Sequence, residues 1–176
     1  MRHVLTDDAP GLLLIYGPIV EASHITFEYV VPSEAEMRLR IENGSKKYPW
    51  LAAVDENGTV IGYAYACSWR ERRAYQWAVE VSVYTHSGHQ RRGVAKRLYA
   101  ELFQQLKTQG YVVAFGAITL PNPASIAFHQ TMGFQQVGNF EACGFKLGRW
   151  HDVEFWSLPL AERSEPPTPP QIKSTS

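Results

Sequence analysis

Residues 89–106 read HQRRGVAKRLYAELFQQL and join a basic, glycine-containing turn to an amphipathic segment. Apolar side chains recur in that segment at four-residue spacing, at Val94, Leu98, Leu102 and Leu106. This spacing places them on one face of a helix. Gly110 follows where a helix ends easily, because glycine adopts the left-handed C-cap conformation without strain. The pattern predicts a helix over residues 94–109 with one face against a core.

The segments on either side of this helix alternate between helical and extended patterns. Further helices are predicted over residues 9–20, 34–43 and 123–132, and strands over residues 2–5, 50–54, 60–68, 75–84, 111–119, 134–146 and 150–158. Asn57-Gly58 between two apolar runs is a strong hairpin signal. The strand, helix, strand order around residues 94–109 allows one parallel pair in a mostly antiparallel sheet. We therefore predict an α+β (mixed α/β) fold in which about four helices flank a twisted, mostly antiparallel sheet of six to seven strands.

The composition is typical of one globular domain. Of the 176 residues, 45% are hydrophobic and 19% are charged, and seventeen basic residues balance seventeen acidic ones. The chain therefore has no overall positive field for nucleic acid, and no apolar run approaches the length of a membrane span. Cys67 and Cys143 lack metal-ligand spacing, so neither a metal site nor a disulfide is expected. These features favour a cytoplasmic protein.

The end of the chain has a different composition. Residues 162–176 read ERSEPPTPPQIKSTS, with four prolines and many polar residues that offer little apolar surface to bury. We predict a folded domain over residues 1–160 and a disordered, proline-rich tail over residues 161–176.

The turn before the long helix is a candidate anion site. Backbone N–H groups at a helix start lack partners within the helix and point toward an anion that the helix dipole favours. Gly93 lets the backbone approach closely, and Ala95 keeps the next turn small. The residues assigned to a diphosphate cradle are Arg91, Arg92, Gly93, Val94, Ala95 and Lys96. The alternative is a basic, capped helix start without a ligand.

Residues 90–95, QRRGVA, resemble the acyl-CoA motif Q/R-x-x-G-x-G/A of the GNAT acetyltransferase superfamily. A narrower resemblance, to the phosphinothricin N-acetyltransferase family, covers residues 1 to about 160. It rests on YPWLAAV at 48–54, IGYAYA at 61–66, AYQWAVEVSVY at 74–84, LPNPAS at 120–125 and GRWHDVEFW at 148–156.

This resemblance implies an enzyme that transfers acetyl from acetyl-CoA to the amine of phosphinothricin, methionine sulfone, methionine sulfoximine or a related amino acid. It also implies a homodimer. The family's cofactor contacts match Val83, Tyr84 and Thr85 along the pantetheine arm, and Asn122 and Ser125 near its far end. Glu28 is a departure, because the herbicide-resistance members carry a basic residue there.

Glu80 is the candidate general base. An α-amine is mostly protonated near neutral pH and must lose a proton before it attacks a thioester. Glu80 lies in the apolar run 77–83, where burial would raise its pKa, and it matches the catalytic glutamate of the family. A solvent-facing edge-strand carboxylate, or an ion-pair partner of a nearby arginine, is the alternative.

His129 is the candidate proton donor to the departing CoA thiolate. It stands seven residues after Asn122, matches the histidine of the phosphinothricin group, and can donate a proton near neutral pH. The alternative is a histidine on a helix surface. A backbone N–H near Val83 is the candidate oxyanion donor, since a main-chain donor needs no particular side chain.

Substrate recognition is assigned to the loop before the catalytic strand. An arginine fork at Arg72 and Arg73 suits a carboxylate or phosphinate, and the family's substrate contacts match these residues with Tyr75. Phe27 is expected to close the pocket. The same loop could be a solvated charged segment. Two other functions stay open: a protein or peptide N-acetyltransferase, and a non-catalytic acyl-CoA sensing module.

Overall fold

The computed structural model describes residues 1–171, which form seven β-strands and four α-helices. The strands are β1 Arg2–His3, β2 Trp50–Val54, β3 Val60–Ser68, β4 Ala78–Thr85, β5 Val113–Thr119, β6 Gln135–Lys146 and β7 Arg149–Pro159. The helices are α1 Ala9–Ala22, α2 Glu34–Ser45, α3 Val94–Gln109 and α4 Pro123–Thr131. The predicted α+β class is confirmed.

All seven strands of residues 1–171 form one sheet in the order β1-β2-β3-β4-β5-β7-β6. Neighbouring strands are antiparallel except β4 and β5, which form the predicted parallel pair. That pair is short: residues 78–80 face residues 113–115, and the pairing ends there. β4 continues along β3 as far as Thr85 while β5 follows β7 as far as Thr119, so the sheet forks in the middle.

Helices cover both faces of the sheet. The apolar stripe of α3 is buried against one face, with Leu98, Leu102 and Leu106 fully covered. The other face holds a second core, in which α1 and α2 pack on β2 and β3 around Leu12, Ile41 and other apolar side chains. Burial on this scale is the main stabilising term for both layers.

Local signals account for most element boundaries. The β2–β3 hairpin turns where Asn57-Gly58 predicts: Gly58 has φ +82°, and the Asp55 carboxylate accepts the amides of Asn57 and Thr59 at 2.9 Å. α2 starts at Ser33, whose hydroxyl oxygen accepts the Glu36 amide at 3.2 Å. Such side-chain bonds fix a turn or cap without help from distant residues.

Several boundaries differ from the sequence prediction by one to three residues, and two of the differences have a clear structural cause. The central strand begins at Ala78 rather than at Tyr75, because Arg73–Tyr75 forms a 3₁₀ turn in front of it. Gly44, where the sequence places the end of the second helix, lies inside α2. A Cβ atom on Gly44 would come within 2.5 Å of the Trp50 indole nitrogen, so the glycine permits close packing there.

The part of the tail that the structure describes, residues 161–171, lies against the domain. The Trp77 indole N–H donates to the Thr168 carbonyl at 2.7 Å, and the Gln171 amide donates to the Gln109 carbonyl at 2.7 Å. Residues 172–176 lie outside the described residues. The domain boundary at residue 160 and the disorder of the tail stay predictions. No helix within residues 1–171 is long and apolar enough to cross a membrane.

Candidate active site

The fork between β4 and β5 creates a cleft in the middle of the sheet. Its walls come from both strands, α3, α4 and the α1–α2 loop, with Ile25, Val81, Ser82, Val83, Tyr84, Tyr99, Ala117, Ile118, Thr119, Asn122, Ser125 and His129 as lining residues. Of the predicted cofactor contacts along the strand, Val83 and Tyr84 line this cleft. Thr85 is outside the lining, where it pairs with Gly62 of β3.

The backbone of β4 presents unpaired groups to the cleft. The His86 amide donates to Ile61 of β3 at 3.0 Å, so even-numbered residues of β4 direct their N–H groups toward β3 and odd-numbered ones away from it. The Val83 N–H therefore faces the cleft, beyond the last pair formed with β5. This matches the donor that the sequence analysis assigns to an oxyanion.

Glu80 lies at the apex of the fork. It pairs with Cys67 of β3 on one side and with Phe115 of β5 on the other, and its side chain is half-buried. Burial raises the pKa of Glu80, and the positive charge of Arg70 partly opposes this effect. β4 is a central strand, so the solvent-facing edge alternative is wrong. Within residues 1–171 Glu80 forms no ion pair, so it is not the structural partner of an arginine either.

The surroundings of Glu80 are apolar and aromatic. The Trp69 ring stacks on Phe115 with centroids 4.4 Å apart, and the Arg70 guanidinium lies 4.3 Å above the Trp69 ring. Burial, together with Glu80, raises the pKa of the Cys67 thiol to about 12, so this neighbour stays neutral. Glu80 is thus a desolvated carboxylate with one cation nearby, as a general base for an amine requires.

The start of α3 has the features of an anion cradle. Gly93 is the N-cap with φ +74°, and Arg91 before it also has a positive φ of 59°. Among residues 1–171, no hydrogen bond is donated by the amides of Gly93, Val94, Ala95 or Lys96. Arg91, Arg92 and Lys96 are exposed beside these amides, and none forms an ion pair within the described chain. Orphan donors with surrounding cations fit a diphosphate.

His129 is buried in α4, with only 6% of its surface exposed, so the surface-histidine alternative is wrong. Its Nδ1 lies 2.8 Å from the Ser125 carbonyl oxygen, which can only accept, so Nδ1 carries the hydrogen. The Nε2 atom points toward Gly116 of β5: a Cβ there would come within 3.0 Å of it. Burial lowers the pKa of His129, and the bond to Ser125 partly opposes this.

Asn122 and Ser125 support this end of the cleft. The Asn122 side-chain oxygen caps α4 by accepting the Ser125 amide at 3.1 Å, and Ser125 in turn contacts the His129 ring. Both residues also line the cleft. The structure therefore brings Asn122, Ser125 and His129 together as the resemblance implies.

The residues predicted to bind substrate lie outside the cleft lining. Arg72, Arg73 and Tyr75 are exposed in the turn before β4, and Arg73 and Tyr75 border the C-terminal segment. Phe27 packs on β6, where a Cβ on Gly144 would come within 2.0 Å of its ring. Seven cleft residues were missed: Ile25, Val81, Ser82, Tyr99, Ala117, Ile118 and Thr119. Period-two alternation along β4 and β5 signals Ser82, Ala117 and Thr119, whereas nothing local signals Ile25.

The α1–α2 loop, which brings Ile25 to the cleft, is fixed by contacts of His24 and Lys146. His24 Nε2 lies 2.9 Å from the Pro121 carbonyl, and the His24 ring stacks on His151 at 4.6 Å. The buried Lys146 ammonium donates to the carbonyls of Val20 and Thr26 at 2.7 and 2.8 Å. His151 is itself buried, with 3% of its surface exposed, so it supports the loop from inside the protein.

Glu28 is not a free acid in this loop. Arg40 binds it with two hydrogen bonds of 2.7 and 3.0 Å, and the Tyr16 hydroxyl donates at 2.9 Å. Chiefly through Arg40, the pKa of Glu28 is lowered. Glu28 stands where the herbicide-resistance members carry a basic residue, and Arg40 neutralises its negative charge.

No cluster of His, Cys, Asp or Glu side chains within residues 1–171 has the arrangement of a metal site. The cleft is instead lined by His129 and by strand backbone, with the Glu80 carboxylate at the apex of the fork and unpaired amides at the start of α3. Together with the forked sheet they define a class of protein, the acetyl-CoA-dependent N-acetyltransferases.

Comparison with known proteins identifies the family. The model of the acetyltransferase (GNAT) domain matches residues 1–155. Phosphinothricin N-acetyltransferase from Streptomyces viridochromogenes is 36% identical over 96% of this chain and 91% of its own length. The L-methionine sulfoximine/L-methionine sulfone acetyltransferase from Pseudomonas aeruginosa is 32% identical over 91% and 94%. A phosphinothricin acetyltransferase from Sinorhizobium meliloti, crystallised with AcCoA, superposes with a TM-score of 0.89 at 38% identity, over 97% of this chain and 91% of that one. The chain belongs to the phosphinothricin and methionine sulfone N-acetyltransferase family of GNAT enzymes, which confirms the resemblance found in the sequence.

Proposed function

We propose that the protein transfers the acetyl group of acetyl-CoA to the amino group of a small amino-acid-like substrate such as phosphinothricin, methionine sulfone or methionine sulfoximine. One observation carries this proposal: Glu80, a desolvated carboxylate, lies where the β4 backbone loses its partner and opens into the cleft. The names of the relatives supply the substrate class.

Acetyl-CoA supplies an acyl group already activated as a thioester. The amides of residues 93–96 and the flanking cations hold its diphosphate, while the cleft-facing backbone of Val83 binds the pantetheine arm and donates to the carbonyl oxygen under attack. Glu80 removes a proton from the substrate ammonium, so that the free amine can attack. Each role uses a group whose partner is missing within residues 1–171.

His129 is proposed to protonate the departing sulfur through Nε2, the nitrogen that Ser125 leaves free. Burial keeps the ring mostly neutral with its hydrogen on Nδ1, so Nε2 first takes up the second proton that the substrate nitrogen loses as the amide forms. A thiol has a pKa of about 8.5. The sulfur of CoA can therefore leave as a thiolate before it is fully protonated. His129 therefore contributes less to the rate than Glu80.

Arg72 and Arg73, with Tyr75 and Phe27, are proposed to recognise the substrate, although all four lie outside the cleft lining. The two guanidinium groups are exposed and form no ion pair within the described residues, so they are available to a carboxylate or phosphinate. Since Arg40 neutralises Glu28, that acid does not repel such an anion strongly.

A substrate panel tests the proposal. Thiol release from acetyl-CoA is measured with phosphinothricin, methionine sulfone, methionine sulfoximine, ordinary amino acids and a peptide with a free N-terminus. Turnover with at least one small amino acid, above that with the peptide, supports it. Faster peptide turnover selects a protein N-acetyltransferase, and acetyl-CoA binding by calorimetry without any transfer selects a sensing module.

The pH profile tests the environment of Glu80. Its pKa is raised, so kcat/KM falls as the pH decreases through that pKa and the base becomes protonated. Arg70 holds this pKa down, so Arg70→Gln is expected to move the acid limb to higher pH. Arg70→Lys keeps the charge and is expected to leave the limb near its original place. An unchanged limb in Arg70→Gln would contradict the electrostatic role.

A homodimer in the cytoplasm is also proposed. β6 forms one edge of the sheet within residues 1–171, and large apolar side chains are exposed on β6, β7 and the turn between them: Val137, Phe140, Phe145, Leu147 and Trp150. An apolar patch beside a free strand edge suits a second copy of the chain. A cytoplasmic location agrees with the use of acetyl-CoA, an intracellular metabolite.

Trp150→Glu tests the dimer. Trp150 is 64% exposed and lies against Phe145, so a carboxylate there places charge inside the proposed interface. We expect the mass from light scattering to fall about twofold at micromolar concentration, since a desolvated unpaired charge costs several kcal/mol. Leu14→Glu, at a residue of α1 that is 69% exposed, is the control and should leave the mass unchanged.

A further inference from the structure

The C-terminal proline-rich segment contacts the turn that carries the proposed substrate residues. Leu160 is buried, and its amide donates to the Val112 carbonyl at 2.8 Å, which fixes the start of the segment. Eleven positions later the Gln171 amide bonds to Gln109 at the end of α3. Pro170 lies against Gly110, with its Cα 3.5 Å from the position of a Cβ there. The segment is therefore held at both ends.

Trp77 is the central contact between these ends. Its indole N–H donates to the Thr168 carbonyl at 2.7 Å, and its own carbonyl accepts the Val112 amide at 3.0 Å. Thr168 stands within Pro-Pro-Thr-Pro-Pro, where restricted backbones lose little entropy on binding. Proline-rich segments commonly bind to grooves lined by aromatic side chains. Here the ligand is the chain's own tail.

The turn itself has few other anchors. Within residues 1–171 the hydrogen bonds of residues 70–76 are local: Tyr75 and Gln76 donate to Arg72 and Arg73, and Ser68 donates to Arg70. Pro167 and Pro169 border the turn from outside, next to Arg73 and Trp77. Trp77 stands three residues before Glu80, so it joins the turn to the base.

We infer that residues 161–171 form a strap that docks on Trp77 and positions the turn at residues 72–76 relative to Glu80. This inference rests on the proposed function, in which that turn binds the amino acid. Trp77 is a positioning residue in this inference, because it acts through the turn. Loss of the strap should weaken amino-acid binding and leave coenzyme binding at the start of α3 unchanged.

The test compares the full chain with one that ends at Ala161 and one that ends at Gln171, the matched control that keeps the strap. Hydrogen exchange of the Trp77 indole N–H, assigned by its absence in Trp77→Phe, measures docking without any reaction. We expect exchange about tenfold faster in the chain ending at Ala161, together with faster exchange of the Tyr75 and Gln76 amides. An indole that exchanges like a free tryptophan in the full chain would show a disordered tail and overturn the inference.

Kinetics then separate positioning from simple stability. In the chain ending at Ala161 and in Trp77→Phe, KM for the amino acid should rise about fivefold while kcat and KM for acetyl-CoA stay within about twofold. A protected indole with an unchanged turn and unchanged KM would overturn the positioning role. If no amine is acetylated at all, the proposed function fails, and the exchange of the indole and of the two turn amides still decides whether the strap exists.

Discussion

Glu80→Gln is expected to lower kcat/KM for the amino acid by about 10²–10⁴-fold, the usual contribution of a general base. Glutamine keeps the size and polarity of the side chain and cannot take the proton of the substrate ammonium. The loss should appear in kcat with little change in KM for acetyl-CoA, because the diphosphate cradle at residues 93–96 is untouched. Thiol release at saturating acetyl-CoA measures it.

The pH dependence and stability of this variant give independent checks. The acid limb of the pH profile reflects protonation of Glu80, whose pKa is raised by burial. Glutamine does not titrate, so this limb should be absent from the residual activity of Glu80→Gln. The unfolded carboxylate ionises at lower pH than the folded one, so ionisation of Glu80 reduces stability at neutral pH. The variant should therefore unfold at the same temperature as the parent or higher. A lower Tm would mean that the loss reflects damage to the fold.

Glu154→Gln is the matched control for this variant. Glu154 is a half-buried strand glutamate on β7, outside the cleft lining, and its carboxylate accepts the Trp156 indole N–H at 2.9 Å, a bond that an amide oxygen can also accept. It should retain most of the activity. Equal losses in Glu154→Gln and Glu80→Gln would contradict the assignment of the base.

The fold was predictable where local signals agree with burial. The four-residue apolar spacing of α3 and the Asn57-Gly58 turn give those elements within a residue of their observed ends. The start of β4 was not predictable in this way. Tyr75 and Trp77 have strand propensity, but Arg73–Tyr75 forms a 3₁₀ turn through local backbone hydrogen bonds. Gly44 shows the same limit. It allows close packing of the Trp50 indole instead of ending the helix, and Trp50 lies on another element.

Candidate-site residues that lie near a sequence motif were predictable, but contacts between distant segments of the chain were not. Glu80, Val83, Asn122, Ser125 and His129 were found because each stands at a fixed distance from a motif, and the structure places them around one fork. Contacts between distant segments left no such signal. Ile25 reaches the cleft only because His24 and Lys146 fix its loop. The contact of Trp77 with Thr168 joins residues 91 positions apart.

Gly93→Glu is expected to raise Kd for acetyl-CoA by about 10²-fold or more, measured by calorimetry. Two effects add. A residue other than glycine at φ +74° costs about 1–2 kcal/mol in the bound geometry, and a carboxylate at the helix start repels the diphosphate that the orphan amides hold. Open space around Gly93 means that steric overlap with other side chains does not contribute.

Gly58→Glu separates the two effects of that variant. Gly58 has φ +82° and equally open surroundings, but it lies in the β2–β3 turn, outside the cleft lining. The control therefore suffers the same backbone strain and gains the same charge, and it should lose stability without loss of coenzyme affinity. The comparison isolates the electrostatic and geometric demand of the cradle. Gly93→Glu with unchanged acetyl-CoA affinity would mean that the start of α3 does not bind the diphosphate.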